Sequence, residues 1–237
     1  MKKYLLKGVK EFNIYLSGEQ IQRFEQYYQL LLAGNEQCNL TAITGCYEVV
    51  TKHFLDSLSC IKVTSFDGNL SLLDVGTGAG FPGIPLKILK PDLSLVLLDS
   101  LQKRINFLNR VAAELTLKNV KVHHSRAEDA GHRPEFRENF DRVTARAVAH
   151  LAVLAEYCLP MVKINGIFVA QKGPMAEQEI NEAKKAITIL GGEIKEVYSM
   201  KLPLSGEERT LIAIKKISPT PDKYPRRAGI PAKKPLK

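Results

Sequence analysis

The sequence predicts an α/β fold: a mostly parallel sheet that ends in an antiparallel edge hairpin. Three observations lead there. From residue 70 onward, short apolar runs of strand length alternate with helical stretches of about ten to fifteen residues, which is the pattern of βαβ units and a parallel sheet. The first apolar run passes straight into a glycine cluster, Gly76-Thr77-Gly78-Ala79-Gly80. The last two runs follow one another with no helix between them, so they pair with each other.

Along the chain, residues 1–69 form a helical N-terminal extension. GEQIQRFEQYYQLLLAGN (18–35) sets Ile21, Phe24, Tyr28, Leu31 and Leu32 at helical spacing and ends at Gly34-Asn35. After the polar NLTAIT (39–44), a second helix is expected from about Tyr47 to Ile61, with Val50, Phe54, Leu58 and Ile61 as its apolar stripe. The core, 70–217, opens with the strand LSLLDV (70–75), the glycine cluster, and a helix that can start at Pro82, a favourable first-turn residue. SLVLLDS (94–100) is the second strand, followed by a helix from Leu101 to Leu115. VKVHH (120–124) is the third, and FDRVTARA (140–147) a fourth weakened by its charges. A helix runs through Leu151, Leu154 and Cys158, then the strand NGIFVAQKG (165–173) and a charged helix over about 175–190. GEIKEVYSMKLP (192–203) and RTLIAIKK (209–216) close the sheet. Residues 218–237 are a basic, proline-rich tail, expected to be mobile without a ligand.

At 237 residues, 45% hydrophobic and 25% charged, the chain has an ordinary globular balance and can bury a large core without disulfides or metals. No stretch reaches the length of a membrane span, and Lys7 and Lys10 interrupt the signal-like start MKKYLLKGVKEF, so a cytoplasmic protein without a membrane partner is expected. Cys38, Cys46, Cys60 and Cys158 have no CxxC spacing, and His53, His123, His124, His132 and His150 form no HExxH array, so no metal is expected. The net charge of +9 is concentrated at the C-terminus: residues 215–237 hold eight Lys and Arg against the single acid Asp222. That asymmetry points to an acidic polymer as partner.

The glycine cluster admits more than one reading. Gly78-x-Gly80-x-x-Gly83 formally matches a dinucleotide fingerprint, but that motif should begin at the strand end, where Gly76 stands, and six positions in from Gly76 lies Phe81. No Gly-Lys-Ser/Thr follows, which excludes a Walker loop. A GxGxG turn preceded by an acid, Asp74, resembles the S-adenosylmethionine loop of class I methyltransferases. Asp99, at the end of the second strand, suits ribose hydroxyls in either a dinucleotide or S-adenosylmethionine, so it does not discriminate.

The segments HFLDS (53–57), VGTGAGFPGIPL (75–86), LLDSLQKRINFL (97–108), SRAED (125–129), FDRVTARAVA (140–149), QKG (171–173) and GEERTLIAIKK (206–216) occur in this order. Together they resemble the RsmG (GidB) family of bacterial 16S ribosomal RNA guanine-N7 methyltransferases, over roughly residues 20 to 216. The resemblance implies a class I, Rossmann-like fold. It implies S-adenosylmethionine as methyl donor, and guanine-527 in the 530 loop of 16S rRNA as target, met as RNA or as the 30S subunit; DNA is not expected. By position it implies that Gly76, Gly78 and Phe81 contact the donor, that Asp99 holds its ribose, and that Ala127 and Glu128 flank its adenine. Arg146 would lie beside donor and base. Arg146 and Lys172 would position the base, and Arg126, Lys172, Arg209, Arg226 and Arg227 would bind RNA.

The chemistry agrees with what the motifs lack. The fourth strand ends in Thr144-Ala145-Arg146-Ala147, not in the Asn/Asp-Pro-Pro-aromatic loop that holds an exocyclic amine. Cys158, the one cysteine in the core helices, sits in an apolar stretch, unlike a nucleophile for pyrimidine carbon 5. Guanine N7 needs neither device, because its lone pair is free at neutral pH and orientation supplies the acceleration. His53, Asp56 and Ser57 share a helix face but cannot take triad geometry on one helix, so packing or substrate-loop roles are expected there. Three other readings compete: a small-molecule methyltransferase, a nucleotide-dependent oxidoreductase and a non-catalytic RNA-binding module.

Overall fold

The computed structural model describes residues 1–146, 149–174 and 176–236, with Gln37 and Cys38 described by backbone alone. Its centre is a seven-stranded sheet: β1 (Ser71–Val75), β2 (Ser94–Asp99), β3 (Val120–His124), β4 (Phe140–Arg146), β5 (Val162–Lys172), β6 (Gly192–Lys201) and β7 (Glu208–Lys216). The spatial order is β3-β2-β1-β4-β5-β7-β6. Strands β1 to β5 pair in parallel, while β7 runs antiparallel to both β5 and β6. The expected hairpin is therefore present, with its second strand inside. Leu211 to Ile214 are all buried, whereas β6 is exposed along most of its length. An apolar run buried on both faces belongs in the interior of a sheet, and a polar one at its edge.

Strand alternation sorts the core into two faces. Leu72, Leu95, Leu97, Ile167, Val169, Leu211 and Ala213 point to one side; Leu73, Leu98, Val143, Phe168, Ala170, Ile212 and Ile214 point to the other. The first face is covered by α1 (Lys2–Glu11), α2 (Gly18–Cys38), a helical run over 46–62, α5 (Gly83–Leu89) and α6 (Gln102–Glu114). That run is α3 (Cys46–Val49), a π-helical segment (Val50–Leu55), α4 (Asp56–Leu58) and a 3-10 turn (Ser59–Lys62). Ser17 caps α2 in a reciprocal capping box with Gln20, satisfying two donors at the helix start. The second face is covered by α7 (Ala127–Ala130), α8 (Leu151–Cys158) and α9 (Ala176–Ile189). Strand β4 tolerates its charges because they sit at its two ends: at its start Asp141 accepts bonds from the Ser71 amide and hydroxyl, at 2.8 and 2.6 Å, and Arg146 is its last residue.

The tail departs from expectation. Residues 218–236 lie against the second face and end in a short helix, α10 (Ile230–Lys233). Proline suppresses regular backbone but does not prevent side-chain anchoring. Tyr224 is buried in the core cluster. Arg137 donates to the carbonyls of Thr220 and Tyr224 at 2.7 and 2.9 Å, and the His132 Nε2–H to that of Pro225 at 2.6 Å. Arg226 forks onto Glu156, a carboxylate with no solvent exposure, at 2.8 and 2.6 Å.

Candidate active site

The chain crosses from β3 at one side of β1 to β4 at the other, so β1 and β4 flank a topological switch point. In open α/β sheets, ligands settle outside the carboxyl ends of such strands. Here β1 runs into Gly76 and β4 ends at Arg146.

The glycine turn is built by two buried carboxylates. Asp74, fully buried, accepts bonds from the Thr77 hydroxyl at 2.6 Å, the Gly83 amide at 2.8 Å and the Thr144 hydroxyl at 3.2 Å. It thereby ties strand, loop, helix start and β4 together. Gly83 permits this approach: a Cβ there would come within 2.9 Å of the Asp74 carboxylate. Asp99, 2% exposed, accepts from the Gly78 amide at 2.9 Å and from Arg104 at 3.2 Å through Oδ2, and from the Leu101 amide at 3.0 Å through Oδ1.

Burial pushes the Asp74 carboxyl up to about 6, against the pull of its three donors. A carboxyl raised in the fold contributes full stability below about 4, and that contribution is lost as pH rises through 6. Asp74→Asn is expected to remove this dependence. Urea unfolding of both proteins across that range should show wild type losing about 2 kcal/mol relative to the variant. Parallel pH profiles would refute the assignment.

Two cavities meet at this edge. The smaller, about 370 Å³, is lined by Leu40, Thr41, Gly76, Thr77, Gly78, Ala79, Phe81, Asp99, Ser100 and Arg104. The larger, about 570 Å³, is lined by Lys52, Asp56, Gln171, Lys172, Glu179, Glu207 and Arg209 among others. His53 and Arg146 line both, forming the shared wall. His53 stacks on Phe81 at 4.5 Å between ring centres, and the Arg146 guanidinium lies 5.0 Å from the same ring. The His53 imidazole is lowered to about 3, by burial first and by Arg146 second, so it is neutral at physiological pH. Both ring nitrogens are engaged: Nδ1 lies 3.1 Å from the Lys52 carbonyl and 3.2 Å from the Arg146 Nη2, and Nε2 lies 3.0 Å from the Thr41 hydroxyl.

Asp56 is the hub of the larger cavity. Its carboxylate accepts from Arg146 and from Arg209, each at 3.1 Å, and its backbone carbonyl accepts from Gln171 at 2.7 Å. Lys172 reaches the Ala149 carbonyl at 2.9 Å and Glu179 at 2.7 Å. The Ser57 hydroxyl donates to the His53 backbone carbonyl at 2.6 Å, away from the imidazole, so the helix carries no hydrolytic triad. Cys158 is fully buried and its thiol is raised well above its usual range by desolvation, which leaves no thiolate nucleophile. Among the described residues, no cluster of His, Cys, Asp and Glu could hold a metal ion, and no helix is long and apolar enough to cross a membrane.

Of the residues singled out in the sequence, Gly76, Gly78, Phe81, Asp99 and Arg146 surround the smaller cavity, while Arg146, Lys172 and Arg209 surround the larger. Arg126, Ala127 and Glu128, at the start of α7, line neither; Arg126 is exposed, and Glu128 accepts the Gly229 amide of the tail at 2.9 Å. Arg227 is exposed, whereas Arg226 is committed to Glu156. Sequence reasoning expects only packing or substrate-loop roles for His53 and Asp56 and does not single out Lys52, Gln171 or Glu207. The interpretable signal was the HFLDS segment, which falls where the helix opens into π geometry, a distortion common at functional sites.

The smaller cavity fits S-adenosylmethionine. A Cβ on Gly78, at φ +62°, would enter open space, so the loop backbone borders the cavity without side-chain obstruction. The Asp99 Oδ1 accepts one bond and keeps acceptor capacity for a ribose hydroxyl.

Comparison with known proteins places this architecture. The fold is shared with a SAM dependent methyltransferase from Aquifex aeolicus, at a TM-score of 0.52 and 17% identity over 73% of this chain and 94% of that one. It is the class I, Rossmann-like methyltransferase fold. Ribosomal RNA small subunit methyltransferase G of Geobacillus sp. (strain WCH70) is 52% identical over 228 residues, covering 96% of each chain. The protein of that name from Bacillus subtilis (strain 168) is 49% identical, covering 97% of this chain and 96% of its own. The family described as rRNA small subunit methyltransferase G matches residues 20–212, and with this identity along nearly the whole chain the protein belongs to that methyltransferase family.

Proposed function

We propose that this enzyme methylates N7 of a guanine in 16S rRNA, guanine-527 of the 530 loop, with S-adenosylmethionine as donor. The observation that carries the reading is the wall between the two cavities, which offers no group to remove a proton from the target. His53 is neutral, but both its ring nitrogens are occupied, Nδ1 by the Lys52 carbonyl and Arg146 and Nε2 by the Thr41 hydroxyl. Asp56 already accepts from two guanidinium groups. An amine target would need a base or a specific amine-holding loop; guanine N7 carries a free lone pair and needs only to be held in line.

In this reading Asp99 holds the donor's ribose, and the Gly76–Gly78 backbone borders its methionine part. When bound, the donor supplies an electrophilic methyl group. Phe81 and His53 provide an apolar stack at the wall, and Arg146 orients the base from the larger cavity. Lys172 and Arg209 line the base-side cavity, and Arg126 and Arg227, both exposed, are available for RNA phosphates. The substrate would be met in the cytoplasm, as rRNA or assembled subunit.

Transfer of labelled methyl from S-adenosylmethionine to 30S subunits lacking native modifications tests this directly. Label in 7-methylguanosine of 16S rRNA is the expected result. Label in another nucleoside would overturn the N7 assignment, and no label in RNA despite donor binding would overturn the substrate.

A further inference from the structure

The larger cavity is lined by four cations, Lys52, Arg146, Lys172 and Arg209, and three carboxylates, Asp56, Glu179 and Glu207. Each cation is paired with a carboxylate, so an RNA phosphate entering the cavity competes with a carboxylate for it. The three carboxylates differ in how they are held. Asp56 is 3% exposed and bridges two arginines. Glu179 is 18% exposed and also accepts the Leu151 amide at 2.8 Å, which fixes it to the start of α8. Glu207 is 37% exposed, and its side chain is held by two cations alone: Lys52 at 2.6 Å through Oε1 and Arg209 at 3.4 Å through Oε2.

We infer that Lys52 and Arg209 form a binding subsite for a phosphodiester of the target RNA, and that Glu207 occupies it as a displaceable carboxylate stand-in. The subsite deepens the proposed rRNA reading and rests on it. The local construction supports displacement. Glu207 lies in the β6–β7 turn, whose backbone is fixed independently of its side chain: the Leu202 amide bonds the Glu207 carbonyl at 2.8 Å, and the Tyr47 hydroxyl bonds the Leu204 carbonyl at 2.7 Å. The carboxylate can therefore swing into solvent while the turn stays in place. Exposed pairs of this kind contribute little to stability, so exchanging one anion for another costs little. Arg209 keeps its Nε on Asp56 and its Nη1 on the Glu208 carbonyl, and offers the phosphate its Nη2, the atom that Glu207 would vacate. Arg209 and Pro174 also line the next groove, with Ser199, Lys201, Glu208 and Thr210, so a strand leaving the subsite meets one further cation, Lys201, beside one carboxylate.

The test is binding of unmodified 16S rRNA to the full-length protein, with S-adenosylhomocysteine present, as a function of salt. Glu207→Gln removes the competing charge and is expected to tighten binding about two- to fivefold. Lys52→Gln is expected to weaken it and to lower the log–log salt slope by about 0.7. In the Lys52→Gln background, Glu207→Gln should tighten binding less than it does alone. Affinity for S-adenosylhomocysteine should be unaffected by either change, since neither residue lines the smaller cavity. Unchanged or weakened RNA binding by Glu207→Gln would overturn the stand-in, and an unchanged slope in Lys52→Gln would overturn the subsite. A wild-type protein that binds S-adenosylhomocysteine but not 16S rRNA would instead sink the rRNA reading itself.

Discussion

Asp56→Ala is expected to lower the unfolding free energy by about 3–5 kcal/mol, the range for removing one member of a buried ion pair. The carboxylate is 3% exposed and stands between Arg146 and Arg209, which are 14% and 20% exposed. Without it, two desolvated guanidinium groups face each other with no anion between them. Asp56→Asn should fall between wild type and Ala, because the amide oxygen can serve one arginine while its NH₂ confronts the other. Urea denaturation at neutral pH measures both. Methyl transfer should fall further than the folded fraction does, since Arg146 also contacts His53 and lies over Phe81 at the wall between the cavities. Wild-type stability in Asp56→Ala would mean that the hub is dispensable.

The same residue marks the limit of what the sequence discloses. The glycine turn and Asp99 are legible because their geometry is local: a strand period, a turn composition and a spacing to the next strand end. Asp56 acquires its role only when the 46–62 run is laid across the sheet edge, next to arginines 90 and 153 positions further along the chain. No local pattern encodes that. The order of the final strands was readable in principle, because Leu211–Ile214 is apolar on both faces and β6 is not. The tail was misjudged for a different reason. Its composition reports the absence of a regular backbone, which is correct over most of its length, but not the absence of anchoring. The anchor is visible elsewhere: Glu156 is the one acid in the apolar helix LAVLAEYC, and a lone acid there requires a partner from outside the helix.

That partner supplies the second large expected effect. Arg226→Ala should cost about 3 kcal/mol, because it leaves the Glu156 carboxylate buried without a counter-charge, held only by the residue-226 backbone amide at 2.8 Å. Arg227→Ala, one residue on and exposed, should stay within about 0.5 kcal/mol of wild type. Arg226→Lys should recover part of the loss, as a single ammonium restores the charge but not the fork that bonds both carboxylate oxygens at 2.8 and 2.6 Å. Replacing both members, Glu156→Leu with Arg226→Ala, should be milder than Arg226→Ala alone, since no buried charge then remains. Urea midpoints measured without RNA separate this anchoring from any nucleic-acid contact. If the tail were detached in solution, the two arginines would behave alike. A large difference between them would mean that the basic segment is first a strap on the α8 face, with Gly229 held by Glu128 beside the start of α7, and that Arg227 is the one of the two left to meet RNA.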